Sequence, residues 1–161
     1  MKFKPTEKYD NIYEIDYNSL KSQGINFIIF DIDNTLITYD EDVAPEKLKA
    51  KMEEIYALGL KACILSNGHS ERAKKFSESL GMYFIGDAFK PSLKGYRKIS
   101  ADFGIKPTET VMIGDQIFTD IWGANRFGSK SILVRPIKTA NEPGFVKFKR
   151  FFERIFFKAG R

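Results

Sequence analysis

The stretch that most constrains this chain is Ile25-Asn26-Phe27-Ile28-Ile29-Phe30-Asp31-Ile32-Asp33-Asn34-Thr35-Leu36. A largely apolar run leads straight into two carboxylates one residue apart. The run from Ile25 to Phe30 reads as a strand buried on both faces, as in a parallel sheet. Asp31 and Asp33 then leave its carboxyl end, where open α/β sheets place their ligands. Two carboxylates emerging from a core are costly unless a cation or a shared proton offsets their repulsion. That cost is the first indication of chemistry.

The remaining pattern repeats the theme. Leu48, Met52, Ile55 and Tyr56 recur at helical spacing between Pro45 and Gly59, and Lys61 to Leu65 reads as a second strand ending at Ser66-Asn67-Gly68. A helix carrying Ala73, Phe76 and Leu80 follows, then a short strand from Tyr83 to Ile85 that ends near Asp87, Phe89, Lys90 and Pro91. Residues 92–103 read as a helix, Val111 to Ile113 as a fourth strand running into Gly114-Asp115-Gln116, Thr119 to Phe127 as a short helix, and Ser131 to Val134 as a fifth strand. Residues 1–24, with Ile12, Ile15 and Leu20, read as a structural lead-in. Strands alternating with helices predict an α/β fold, a doubly wound, Rossmann-like parallel sheet of five strands.

Length and composition set the frame. A chain of 161 residues with 43% hydrophobic and 29% charged residues is expected to be globular and to hold a real core. Cys63, the single cysteine, excludes an intrachain disulfide and reads as a buried thiol. No apolar run approaches the roughly 20 residues of a spanning helix, and no secretory signal is visible. The expected location is cytoplasmic. The division expected is a domain over 1–144 and a separate segment over 145–161. The net charge of +5 lies wholly in that segment: it holds six bases (Lys147, Lys149, Arg150, Arg154, Lys158, Arg161) and one acid (Glu153), whereas the rest balances 20 bases with 20 acids.

Four polar signals fall at the carboxyl ends of expected strands: Asp31 with Asp33, Ser66 with Asn67, Lys90, and Asp115 with Asp120. The topology brings those ends to one edge of the sheet. Together they supply a nucleophile candidate, a second carboxylate, a hydroxyl, a cation and a further acidic pair, which is what metal-assisted phosphoryl transfer requires. Mg²⁺ takes oxygen ligands, usually one or two carboxylates with substrate phosphate and waters, and a lysine can neutralise charge on the transferring oxygens. Taken singly, Ser66 or Asn67 reads as a helix cap and Lys90 as a solvated charge. His69 reads as a helix-start residue and Trp122 as packing.

With these residues in place, the chain resembles the haloacid dehalogenase-like (HAD) phosphatases. Asp31-Ile32-Asp33-Asn34-Thr35-Leu36 matches their first motif, Ser66-Asn67 the second, Lys90-Pro91 the third, and Gly114-Asp115-Gln116 through Asp120 the fourth, in the family's order. Two further runs, Gly114 to Gly128 and Ile132 to Ile137, with Tyr13-Glu14-Ile15-Asp16 leading into Gly24-Ile25, narrow it to the YqeG-type subgroup of subfamily IIIA. That subgroup is similar to mitochondrial and plastid phosphatidylglycerophosphate phosphatases.

The resemblance implies roles. Asp31 is the nucleophile that forms an aspartyl-phosphate, and Asp33 is the general acid and then the base. Asp31, the backbone carbonyl of Asp33, and Asp115 hold Mg²⁺. Asp120 supports the metal or orients Lys90. Ser66 and the Asn67 N–H bind the phosphoryl oxygens, and Lys90 pairs with the phosphate and Asp31. The intervals 37–60 and 68–89 leave no room for a cap domain, so a capless, open site is expected, suited to a phosphate on a macromolecule or membrane. Asn125 and Arg126 follow the fourth motif closely, with either a substrate or a packing role open.

The implied function is removal of the terminal phosphate of phosphatidylglycerophosphate. Its rivals are a soluble or nucleic-acid phosphate as substrate, or a non-catalytic protein of this fold that docks RNA or a partner. On a helical wheel the tail places Phe145, Phe148, Phe151, Phe152, Ile155 and Phe156 on one side and Lys147, Lys149, Arg150, Glu153, Arg154 and Lys158 on the other, with Val146 and Phe157 as exceptions. Two readings stand: peripheral contact with the inner face of an anionic membrane, or packing of the aromatic face on the domain or on a second subunit with the bases in water.

Overall fold

The computed structural model describes residues 2–138 and 142–157; for residues 152 and 155–157 it describes the backbone alone. The tail residues Lys158 and Arg161, and the side chains of Phe152, Ile155, Phe156 and Phe157, lie outside the described residues. One parallel sheet of six strands organises the chain, in the order β1-β6-β5-β2-β3-β4. Its strands are β1 (Glu7–Tyr9), β2 (Phe27–Phe30), β3 (Lys61–Leu65), β4 (Tyr83–Ile85), β5 (Thr110–Gly114) and β6 (Lys130–Val134). The helices are α1 (Tyr17–Ser22), α2 (Glu46–Ala57), α3 (Glu71–Ser79), α4 (Lys94–Phe103), α5 (Trp122–Phe127) and α6 (Gly144–Phe157).

Strand β2 sits at the centre between β3 and β5, and all four of its residues are buried. Because side chains alternate across a strand, it feeds two cores. Ile28 and Phe30 pack with Ile64, Val111, Ile113 and the helix residues Leu48, Met52, Ile55 and Phe76. Phe27 and Ile29 pack on the opposite face with Cys63, Leu65, Met112, Tyr96, Ile99 and Ala124. Helices α2 and α3 therefore cover one face and α4 and α5 the other. The strand order reverses between β2 and β5, so the crevice at their carboxyl ends is the topological switch point.

The structure corrects the expected five strands to six. The extra strand, β1, pairs with β6 through Glu7, Lys8 and Tyr9. It is three residues long, polar and at the sheet edge, where short charged strands protect against edge-to-edge pairing. The expected helix at 119–127 begins earlier, as a π-helical turn over Ile117–Ile121 that passes into α5. Between β2 and β3 the only helix is α2, and between β3 and Lys90 the chain builds α3 and β4, so no cap module is present in either interval. None of the described helices is long and apolar enough to cross a membrane.

Candidate active site

Three loops converge on the carboxyl ends of β2, β3 and β5. After β2 the chain turns sharply: Asn34 takes φ +62°, a left-handed conformation that asparagine tolerates, and its N–H meets the Ile37 carbonyl at 2.6 Å. This turn leaves Asp31 buried, Asp33 at the rim, and the Thr35 hydroxyl donating to Asp115 Oδ1 at 3.2 Å. After β5, Gly114 has no Cβ to collide with the Asp120 side chain lying against it. The π turn widens the chain there, the Ile121 N–H reaching the Gln116 carbonyl five residues back at 3.3 Å. Asp120 is thereby folded back beside Asp115, its Oδ2 accepting from the Gln116 N–H at 3.1 Å.

Lys90 joins these elements. Its Nζ lies 2.7 Å from Asp31 Oδ1 and 2.7 Å from Asp120 Oδ1, with 1% of its side chain exposed. The Asn67 side chain brackets its backbone, Oδ1 accepting from the Lys90 N–H at 2.6 Å and Nδ2 donating to the Lys90 carbonyl at 3.1 Å. The Lys90–Pro91 bond is cis. Ser66 is buried at the end of β3, its Oγ accepting from the Gly68 N–H at 3.1 Å. Of the residues singled out in the sequence, Asp31, Lys90, Asp115 and Asp120 thus meet directly. The Asp33 side chain does not join them; it ion-pairs instead with Arg72 on α3.

Burial pushes the Asp31 carboxyl well above the usual carboxylate range, with Asp120, Asp115 and Asp33 adding to the rise and Lys90 opposing it. Burial likewise raises Asp115 to about 7 against the pull of Arg150. Lys90 would be lowered by burial, but the Asp120 and Asp31 carboxylates outweigh that and hold it above the ordinary lysine range. The Asp33 carboxyl is raised by burial and drawn back by Arg72.

Helix α6 supplies what the sequence reading missed. Arg150 ion-pairs with the Asp115 carboxylate, donates to the Asp115 carbonyl at 3.1 Å, and meets Glu142 Oε1 through Nε at 2.6 Å. Glu142 also accepts from the Asn34 side chain at 2.8 Å. Glu153 accepts from the Phe118 N–H at 3.0 Å. Arg150 and Glu153 are each 8% exposed, so the reading that placed them on a solvated face is corrected: the concentrated negative charge at the switch point draws Arg150 inward. The site is bordered by α3 through the Arg72–Asp33 ion pair and by α6 through the Arg150–Asp115 ion pair. Arg72 carries no local signal, being one arginine among the charges of α3.

The remaining candidates have structural partners. Asn125 Nδ2 donates to the Lys2 and Lys4 carbonyls at 3.0 and 2.9 Å, and Arg126 donates to the Pro91 carbonyl at 2.8 Å while lying over Trp122. Trp122 packs on Phe3. His69 Nδ1 lies 3.2 Å from Asp87 Oδ2.

The donor set fits a divalent cation. Asp31, Asp115 and Asp120 each offer an oxygen within 4.8 Å of the others. Fully ionised, the four buried carboxylates (these three and Glu142) would set four negative charges against the two positive charges of Lys90 and Arg150. Glu142 Oε2 is buried with no donor among the described residues. In a low-dielectric pocket such an excess is relieved by protons or by a hard cation with oxygen preference.

Comparison with known proteins agrees with this geometry. The family model described as HAD-hydrolase-like matches residues 87–143. The probable phosphatase YqeG of Bacillus subtilis is 40% identical over 153 residues, covering 94% of this chain and 88% of that protein. The chloroplastic phosphatidylglycerophosphate phosphatase 1 of Chlamydomonas reinhardtii is 30% identical over 153 residues, 89% of this chain and 57% of the alga's longer protein. Among solved structures, the cobalt-bound deoxy-D-mannose-octulosonate 8-phosphate phosphatase (YrbI) of Haemophilus influenzae shares the fold with a TM-score of 0.59 at 19% identity, over 80% of this chain and 77% of that one. The chain therefore belongs to the haloacid dehalogenase-like family of phosphatases, alongside YqeG and the phosphatidylglycerophosphate phosphatases.

Proposed function

We propose that this phosphatase is an Mg²⁺-dependent phosphomonoesterase that works through an aspartyl-phosphate, and that it removes the terminal phosphate of phosphatidylglycerophosphate. The observation that carries the chemistry is the buried Asp31–Lys90–Asp120–Asp115 cluster, in which carboxylates outnumber cations. The lipid substrate is supported by the name of the algal relative. Asp31, Asp115 and Asp120, with the Asp33 carbonyl, would hold Mg²⁺, which would supply positive charge to the incoming phosphate and favour the carboxylate form of Asp31. The site of action in this reading is the cytoplasmic membrane face.

An Asp31 oxygen attacks phosphorus and the bond to the leaving alcohol breaks, with Asp33 giving that alcohol its proton. Asp33, now a carboxylate, takes a proton from water as the water oxygen attacks the aspartyl-phosphate. Inorganic phosphate leaves and Asp31 is restored. Lys90 fixes the Asp31 carboxylate and shares its charge with the phosphoryl oxygens, while Ser66 and the Asn67 N–H hold the other phosphoryl oxygens.

Two tests follow. Phosphate release from phosphatidylglycerophosphate in mixed micelles is expected with Mg²⁺ and is lost with a chelator; turnover of a generic phosphate ester but not of this lipid would discard the lipid assignment alone. Arg72→Gln tests Asp33. Arg72 pulls the Asp33 pKa down, so its removal raises that pKa. The first chemical step needs Asp33 protonated, so the alkaline limb of kcat/KM should move to higher pH in the variant. An unmoved limb would separate Asp33 from the proton transfer. Asp33→Asn should abolish that limb and cut kcat about 10²–10⁴-fold.

A further inference from the structure

Helix α6 is amphipathic, and its orientation is the reverse of the usual one. A helix on a soluble domain ordinarily turns its apolar stripe to the core. Here the seam toward the domain is Val146, Arg150 and Glu153, at spacings of four and three, with Val146 half-buried and both charged residues buried. The aromatic stripe faces outward: Phe145 is 67%, Phe148 60% and Phe151 58% exposed. The inward seam is specific, because Arg150 is tied to Asp115 and Glu142 and Glu153 to the Phe118 N–H. Those ties fix the rotation of the helix about its axis, so the outward stripe is a consequence of how the site is built.

The charges around the stripe identify what it meets. Lys147 and Arg154 are exposed beside Phe148 and Phe151, and Lys149 lies half-buried with Nζ 4.4 Å from the Phe145 ring centre. Among the described residues of α6, the outer face combines the rings of Phe145, Phe148 and Phe151 with the cations Lys147 and Arg154, and the helix's one acid, Glu153, lies on the other face. A second copy of the chain docking the same face about a two-fold axis would set these cations against each other. An anionic bilayer answers both features: the rings enter the headgroup–acyl boundary and the cations meet lipid phosphates.

We propose that the outward face of α6, carrying Phe145, Phe148 and Phe151 with Lys147 and Arg154, docks this phosphatase on an anionic bilayer, with Arg150 and Glu153 holding that face beside the active site. The docking deepens, and in its account of access rests on, the reading of the substrate as a lipid phosphate. Because α6 borders the site through Asp115, docking its outer face holds the active-site end of the sheet within one helix diameter (~10 Å) of the headgroup layer.

The test uses the full chain and two variants, Phe148→Ser/Phe151→Ser and Lys147→Glu/Arg154→Glu. Co-sedimentation is measured with vesicles of phosphatidylglycerol and phosphatidylcholine and with phosphatidylcholine alone. Turnover of a small chromogenic phosphate ester is followed in parallel, along with turnover of phosphatidylglycerophosphate in vesicles and in detergent micelles. The unaltered protein should sediment with the anionic vesicles only, and less so at high salt. Each variant should lose at least about tenfold in partitioning while keeping turnover of the small ester, which reports an intact fold and site. Turnover of vesicle-embedded lipid should fall with partitioning, and turnover in micelles should fall less.

Equal vesicle binding by all three proteins, or no binding by the unaltered one, overturns the docking face. A dimer of the unaltered protein that both variants dissociate overturns it in favour of a second copy. Lost vesicle binding in the variants with no lipid turnover by any form sustains the docking and sinks the substrate reading. Lipid turnover in micelles with unchanged vesicle binding does the reverse.

Discussion

Asp31→Asn should abolish phosphate release, by at least about 10⁴-fold, and leave the protein folded. The side chain keeps its shape, and its Oδ1 position still faces Lys90 Nζ at the present 2.7 Å. An amide oxygen has neither the charge nor the nucleophilicity to attack phosphorus, so no covalent intermediate forms. The fold is spared for a specific reason. Burial already disfavours the charged form of Asp31, so neutralising it removes a cost as well as an attraction. Lys90 keeps its second partner, Asp120, at 2.7 Å. Acid quenching during turnover should trap phosphate on the unaltered protein and none on the variant, whose melting temperature should remain within about 5 °C of the parent's. A variant that still releases phosphate at the parent's rate, or that still carries trapped phosphate, removes Asp31 as the nucleophile.

What the sequence made legible follows from how locally each feature is encoded. Phe27 to Phe30 announced the central strand because four consecutive buried positions leave no polar residue to mask the run. The motif residues were legible for a related reason: Asp31, Ser66 and Asp115 each directly follow a strand, and Lys90 stands before Pro91 in the loop that follows β4. Strand β1 was not legible, since Glu7, Lys8 and Tyr9 resemble a loop and are strand only because β6 offers an edge to pair with. Asp120 needed the π turn at Ile117–Ile121 to come back to Asp115, and helical spacing does not foretell an extra residue in a turn. Arg72 and Arg150 were hidden for a different reason. Each reaches a carboxylate far away in the chain, 39 and 35 positions from its partner. For α6 the wheel left two readings open, the aromatic face outward or packed on the domain, because it weighs apolar area alone and takes no account of the negative charge that captures Arg150.

Lys90→Met should cost about 3–5 kcal/mol of stability, and the loss should depend on pH in a direction that the site dictates. The ammonium is the cation bound between Asp31 and Asp120, and a methionine of similar length fills the space without the charge. Both carboxyls then remain buried and face each other unscreened. Lys90 is the group that opposes the rise in the Asp31 pKa, so its removal raises that pKa further. A carboxyl whose pKa is higher folded than unfolded binds more protons in the native state, and the stability of that state therefore falls as pH rises. The loss grows from the ordinary carboxylate range near 4 up to the raised folded value. The variant should melt about 10 °C below the parent at pH 8, with the gap narrowing at pH 5, where a proton on Asp31 takes over part of the lysine's role. Added Mg²⁺ should raise the melting temperature more in the variant than in the parent, because a cation bound only by the native state offsets the charge left behind. Phosphate release should fall at least about 10²-fold even with Mg²⁺ saturating, since the lysine also shares charge with the transferring oxygens. A variant as stable as the parent at pH 8, or one whose deficit is the same at both pH values, would mean that Lys90 is not what makes this cluster of buried carboxylates tolerable.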